Sequence, residues 1–312
     1  MCDAAEFPGD KSHPDQIPSQ RFDGTSGLKN NLGYQTDTRK QGNNLEALET
    51  HFRFGDNWQS YARTIAEDNI HYAVAGLREL LVDGCAGETF LDIGCGSGIH
   101  SLAASILGAK VSAVDIDPAS VETTRSVLTS RGFSAVVPRQ ISVFDLDPVT
   151  FGQFDTVYSW GVLHHTGDMW RAVAKAAELV RPGGRLVLAL YDKTLFCNFW
   201  RWEKAWYSKA SESSQRRARG VYVTLFRLKC MLTGRSFAKS VAGYDSGRGM
   251  DYYHDLHDWM GGYPYQSARP SQVQEFLHAL GFRQTIFIPS GVRIGIFGSG
   301  CSQYTFVRDP QG

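Results

Sequence analysis

Phe90-Leu91-Asp92-Ile93-Gly94-Cys95-Gly96-Ser97-Gly98-Ile99-His100 is the stretch on which the fold turns. An apolar run carries one acidic residue, three glycines follow at every second position, and a helix-compatible pattern begins at Ile99. That is the local text of a buried strand turning tightly into a helix over a nucleotide-like ligand. Gly94 and Gly96 allow positive φ and leave no Cβ between backbone and ligand, and Gly98 lets the helix pack close to the strand. The spacing narrows the ligand. The dinucleotide fingerprint is G-x-G-x-x-G and sets a pyrophosphate on the helix N-terminus. Here the third glycine comes one residue early, and Asp92 stands two residues before the first. A carboxylate there repels a pyrophosphate and suits a ligand that carries an ammonium group.

Downstream, strand and helix patterns alternate. The first strand is expected over Thr89–Ile93, a helix over Ile99–Leu107 ended by Gly108, and a second strand over Lys110–Val114 that closes on Asp115-Ile116-Asp117. Pro118 fits the first turn of the next helix, with Asp117 as its N-cap. A third strand falls within Ala135–Val143 and a fourth over Phe154–Trp160, with His164-His165 in the loop behind it. A helix over Met169–Val180, a turn at Arg181-Pro182-Gly183-Gly184 and a fifth strand over Arg185–Tyr191 complete the run. Such alternation makes a parallel sheet covered on both faces.

Upstream, residues 1–44 are polar and poor in large apolar side chains, as a mobile tail would be. Residues 45–87 show a helical pattern broken by a turn at Phe54-Gly55-Asp56-Asn57. Its bland reading is two helices packed on the main domain; its sharper one lets Phe54, Trp58 and Tyr61 close a ligand pocket. Beyond the fifth strand, residues 192–265 are aromatic-rich, helical and strongly basic. A last helix follows over 266–280, then strands at Thr285–Ile288 and Tyr304–Val307.

Composition bounds the function. Lys and Arg number 32, as do Asp and Glu, so nothing draws the chain as a whole to nucleic acid or to an anionic membrane. The six cysteines are scattered without a C-x-x-C pair, which indicates neither a zinc site nor a disulfide framework and fits a reducing, cytoplasmic setting. No signal-peptide pattern and no apolar run of membrane-spanning length is visible.

Leu-Asp-Ile-Gly-Cys-Gly-Ser-Gly at 91–98, Ala-Val-Asp-Ile-Asp at 113–117, Gly-Val-Leu-His-His at 161–165 and Arg-Pro-Gly-Gly-Arg-Leu at 181–186 together resemble the class I S-adenosylmethionine-dependent methyltransferases, in particular the small-molecule branch similar to ubiquinone-biosynthesis methyltransferases. The likeness covers 88–191 directly and 266–312 by strand order. It implies an α/β, Rossmann-like sheet of seven mostly parallel strands with an antiparallel last strand. The core would be 88–191 and 266–312, with an N-terminal helical cap at 45–87 and a helical lid insertion at 192–265. The implied cofactor is S-adenosyl-L-methionine, leaving S-adenosyl-L-homocysteine. Asp92, Gly94, Gly96 and Gly98 would surround its methionine part, with Cys95 as a small buried residue of the same cradle. Asp115 would accept the ribose hydroxyls, Ile116 would pack on adenine, and Phe144 and Asp145 would stand near the adenine amino group. Trp160 and Gly161 would line cofactor and acceptor.

Methyl transfer from a sulfonium is an in-line displacement, so the protein chiefly holds the reactants in register, and a base is needed only for a protonated acceptor. His164 and His165 are candidates by position. So are His254 and His257, in Tyr252-Tyr253-His254-Asp255-Leu256-His257-Asp258-Trp259, where each aspartate could orient an imidazole or join it on a metal; no metal is expected. Trp58, Tyr61, Tyr253, Asp258, Trp259 and Tyr263 are the expected acceptor contacts. The expected partner is a small molecule, anionic or aromatic. A tRNA or rRNA methyltransferase that grips its substrate with the basic insertion is the alternative within the fold; a non-catalytic cofactor-binding scaffold is the alternative outside it.

Overall fold

The alternation of side chains along the strand Thr89–Ile93 explains how the layers form. Leu91 and Ile93 point to one face of the sheet and join Met169, Ala172, Ala176, Val273 and Leu277. Phe90 points to the other and joins Ala73, Leu77, Ile99 and Ala103. With helices on both faces, the strand is buried almost throughout, which is why it reads as an apolar run.

The computed structural model describes residues 54–242, 252–292 and 294–310, so the expected tail at 1–44 and the start of the cap lie outside the described residues. In chain order, α1 (Phe54–Ala62) and α2 (Glu67–Leu80) precede β1 (Thr89–Ile93), α3 (Ile99–Ile106), β2 (Lys110–Asp115), α4 (Pro118–Ser130) and β3 (Arg139–Gln140). Then come α5 (Pro148–Phe151), β4 (Phe154–Trp160), α6 (Met169–Glu178) and β5 (Val180–Tyr191). The insertion holds α7 (Cys197–Tyr207), α8 (Glu212–Leu232), α9 (Phe237–Ala242) and α10 (Tyr252–Gly261). α11 (Pro270–Ala279), β6 (Phe282–Ile288) and β7 (Cys301–Arg308) close the chain.

The sheet has seven strands in the order β3-β2-β1-β4-β5-β7-β6. β1 runs parallel to both β2 and β4, with Asp92 opposite Ala113 and Tyr158. β7 lies antiparallel between β5 and β6, with Leu188 opposite Tyr304. The chain leaves β1 toward β2 on one side and returns through β4 on the other. That switch point opens a crevice at the carboxyl ends of the strands, where sheets of this kind bind ligands.

Two local expectations, at 54–57 and at 181–184, need correction. Phe54-Gly55-Asp56-Asn57 is not a turn but the first turn of α1, because the Asp117 carboxylate accepts the Gly55 N–H at 2.8 Å and holds a helix N-terminus there. The third strand falls within the expected Ala135–Val143 and is short: Arg139 and Gln140 pair with Val114 and Asp115 at the sheet edge. The turn at 181–184 is an irregularity within β5, because pairing with β4 resumes beyond it at Phe154 and Val180.

Candidate active site

The glycine stretch bends as its spacing requires. Gly94 has φ +79°, and the Gly94 and Cys95 N–H groups both donate to the Val114 carbonyl, at 2.8 and 3.1 Å. A Cβ on Gly94 would lie 2.5 Å from a Val162 methyl, so no other residue fits without displacing the loop after β4. Gly98, at φ +80°, caps α3, and a Cβ there would meet the Thr124 Cα of α4 at 2.9 Å.

Asp115 ends β2 beside this bend. Its carboxylate accepts the Gly96 N–H at 3.0 Å and the Asp117 N–H at 2.9 Å. Burial pushes the group up to about 6 against the pull of those bonds. A carboxylate has about four acceptor sites, so these backbone bonds leave it able to accept from a ligand hydroxyl. Asp117 is the N-cap of α4, accepting from Ala119 at 2.8 Å, while its other oxygen holds Gly55 of α1. Asp92 lies beneath the bend rather than in the wall of the cavity. It is buried, accepts the Ser101 hydroxyl at 2.6 Å, and burial pushes it up to about 7.

A cavity of about 400 Å³ opens over this cradle. Its floor includes Gly94, Cys95, Gly96, Asp115 and Ile116, and Trp160 and Gly161 form one edge. α1 contributes Phe54 and Trp58; the Trp58 indole lies so close over Gly96 that a Cβ there would be 3.2 Å from it. The insertion supplies the far wall through Tyr222 and Phe226 of α8 and Asp255, Asp258 and Trp259 of α10. Phe297, Gly300 and Cys301 complete it from the approach to β7.

α10 sorts the His-Asp segment by helical phase. Asp255, Asp258 and Trp259, at i, i+3 and i+4, share the face toward the cavity. His254 and His257 are not in that wall. His254 Nε2 lies 3.2 Å from Ser60 Oγ. His257 Nδ1 lies 2.8 Å from both the Tyr207 hydroxyl and Arg219 Nη1, and burial, aided by the Arg219 charge, pushes it down to about 4. Neighbours in sequence do not face one another on a helix, so each histidine points away from the aspartate that follows it. Burial raises the Asp258 carboxyl well above the usual range, with the Asp255 charge adding to it. Behind Asp258, burial pushes the Lys204 ammonium down; its Nζ donates to the Trp259 carbonyl and sits 4.0 Å from that indole's centre. Among the described residues no three His, Cys, Asp or Glu side chains converge as a metal site requires.

The two histidines after β4 also part ways. His164 is fully buried and absent from the wall. Its ring lies 3.9 Å from that of Tyr191, whose N–H points at Nδ1 from 3.4 Å, and burial pushes it well below its ordinary value. His165 is in the wall. Its Nδ1 lies 2.7 Å from the Pro264 carbonyl oxygen, which can only accept, so Nδ1 is the donor of that bond. Gly262 is pressed against this ring; a Cβ there would be 2.5 Å from Cε1.

Other expected contacts fall outside the wall. Phe144 is buried under the Arg171 guanidinium at 4.7 Å, and Asp145 is exposed. Gly98 packs on α4, Tyr61 is buried behind Trp58, Tyr253 is half exposed, and Tyr263 stands outside the lining. His100 was missed although it closes the opening stretch. It lines the cavity between Tyr158 and Trp160, with ring centres 5.3 and 5.9 Å away, and burial pushes it down to about 4. Phe297 and Cys301 gave no signal, because Cys301 reaches the cavity through the pairing of β7 with β5 and Phe297 from the loop that leads into β7.

Seven strands in this order, with the glycine bend and Asp115 at the switch point, define the class I S-adenosylmethionine-dependent methyltransferase architecture. Residues 91–188 match the family described as a methyltransferase domain. The ubiquinone biosynthesis O-methyltransferase of Xanthomonas euvesicatoria pv. vesicatoria (strain 85-10) is 38% identical over 109 residues, 35% of this chain and 45% of its own length. Its counterpart from Xanthomonas campestris pv. campestris (strain B100) is also 38% identical over 109 residues, with the same coverage. The chain thus spans a little under half the length of the curated relatives it matches. Among solved structures, PKMT2 from Rickettsia typhi in complex with AdoHcy has the same fold, with a TM-score of 0.53 at 15% identity over 76% of this chain and 52% of that one.

Proposed function

We propose that this chain transfers a methyl group from S-adenosylmethionine to a hydroxyl of a small aromatic acceptor. One observation carries the reading: the cradle of Gly94, Gly96 and Asp115 and the aromatic, acidic wall of the insertion open into the same cavity. The cradle fits the cofactor. Its floor lacks side chains where a Cβ would collide, and a carboxylate with spare lone pairs ends β2. Asp115 would hold the ribose and Ile116 the adenine, while the bend at Gly94–Gly96, backed by Asp92, would hold the amino-acid end. When bound, the sulfonium supplies the methyl group and leaves as a neutral thioether.

The chain's own residues do the rest. Trp58, Trp160 and Trp259 give flat apolar surfaces against which an aromatic acceptor can be oriented. His165, with Nδ1 tied to Pro264, would take the acceptor proton on Nε2. The O-methyltransferase names of the Xanthomonas relatives support a hydroxyl as the acceptor group.

Calorimetry with S-adenosylmethionine and S-adenosylhomocysteine tests the cradle, and transfer of labelled methyl to a panel of phenols tests the chemistry. Asp115→Ala should weaken cofactor binding by about ten- to a hundredfold, as loss of hydrogen bonds to a charged group does. Absence of heat with folded wild-type protein would overturn the cradle. Binding without transfer to any acceptor would overturn the enzyme reading.

A further inference from the structure

The insertion carries an apolar surface that the cavity does not use. On α7 and the residue before it, Phe199, Trp202 and Trp206 are 49, 66 and 44% exposed and follow Phe196 at spacings of three and four. On α8, Val221, Leu225, Leu228 and Leu232 are 60, 52, 45 and 75% exposed and recur at i, i+4, i+7 and i+11, one stripe of a helix. Ile294 and Ile296, in the loop before β7, are 53 and 50% exposed. These elements meet one another. Trp200 of α7 donates its indole N–H to the Gly295 carbonyl at 2.7 Å, and Tyr222 of α8 contacts both the Trp200 and Phe297 rings.

Charge is segregated onto the same elements. Residues 193–242 hold eleven Lys and Arg against two acidic residues, a net of +9 in a chain whose total is zero. Neither acid offsets that charge at the surface: Glu203 is buried next to Lys204 in sequence, with no hydrogen-bond partner on either carboxylate oxygen among the described residues, and Glu212 pairs with Arg216 at 2.7 Å. Arg201, Arg217, Arg227, Lys229, Arg235 and Lys239 are exposed. Lys229 lies 4.8 Å from the Phe297 ring and Arg227 4.6 Å from the Phe237 ring, each charge resting along apolar surface.

We propose that the α7–α8 face of the insertion docks on an anionic lipid surface. The chemistry singles out this partner. No described helix is long and apolar enough to cross a membrane, whereas amphipathic helices with aromatic and aliphatic residues on one side and Lys and Arg around them lie in the interface of a bilayer with acidic headgroups. A second copy of the chain would set +9 against +9. RNA would satisfy the charge but offers nothing to the aliphatic stripe of α8, since single-stranded bases stack on aromatic faces. Because Tyr222 and Phe226 of α8 also line the cavity, the docked face would stand next to the site.

Flotation of the full chain with phosphatidylcholine vesicles, with and without about a third of phosphatidylglycerol, tests this. Binding should require the anionic lipid, and brominated acyl chains should quench the intrinsic tryptophan fluorescence, because Trp202 and Trp206 enter the interface. Leu225→Ser with Leu228→Ser should lower partitioning by about tenfold or more while calorimetric cofactor affinity stays unchanged. Arg217→Glu with Arg227→Glu should lower it comparably. The quenching is read on wild-type protein, so it holds even if a variant misfolds. The proposal is overturned by failure to float with anionic vesicles, by flotation without quenching, by RNA that binds more tightly than the vesicles, or by a self-association in light scattering that the leucine substitutions abolish. None of these readouts depends on methyl transfer.

Discussion

Asp92 is a carboxylate placed where the folded chain prefers it neutral. Burial holds it at about 7, against about 4 in an unfolded chain. The folded state therefore binds the proton more tightly. The stabilisation is fully present below the unfolded value and is lost as pH rises through the folded one. Asp115, held at about 6, has the same sign. In denaturant melts of ligand-free protein, Asp92→Asn should flatten the decline of stability between about pH 4 and 7 and remove a penalty of up to about 4 kcal/mol at pH 8. An unchanged slope would exclude Asp92 as its source. The histidines separate by a different measurement. His165→Ala should lower kcat by about a hundredfold or more with cofactor affinity nearly intact, whereas His257→Ala should leave kcat near wild type. Equal losses would mean that His165 only shapes the loop. The bend at Gly94, Gly96 and Gly98 was legible because positive φ at alternating glycines is a local property of the chain. The difference between His164 and His165 was not, since it depends on Tyr191 and Pro264, distant in sequence.

α1 and α4 start from a shared anion. Asp117 accepts the N–H of Ala119 with one oxygen and that of Gly55 with the other, so one side chain holds two helix N-termini. Asp117→Ala should cost about 1–2 kcal/mol in urea melts, the worth of a cap, and should open α1 to limited proteolysis near Trp58. A variant of full stability with α1 still protected would show that packing alone seats this helix. The arrangement also explains what sequence periodicity misread. Gly55-Asp56-Asn57 has turn composition, and a carboxylate 62 residues away turns it into a helix start. On α10 the composition was legible but its phase was not. The two histidines drew attention, whereas the helix sends Asp255, Asp258 and Trp259 to the cavity and turns His254 toward α1 and His257 toward α7 and α8.

The strand order has no local signature. Nothing near Cys301 indicates that β7 enters between β5 and β6, and the sequence expectation of it came only through resemblance to a family. The cavity inherits this long-range character, since its wall is drawn from α1, the glycine bend, β4, three helices of the insertion and the approach to β7. A ligand that fills it is held by segments that are separate along the chain, so occupancy should stiffen them together. Bound at a hundred times its Kd, S-adenosylhomocysteine should add about 2.7 kcal/mol to stability, and hydrogen exchange should show where that falls. Slowing is expected at 94–97 and also in α1 and α10, whose Trp58, Asp255 and Trp259 face the same space, while the outer surface of α6, buried against the opposite face of the sheet, should change little. Protection confined to the glycine bend would mean that α1 and α10 enclose the acceptor alone. The cofactor would then bind without ordering them, and closure of the site would have to await the second substrate.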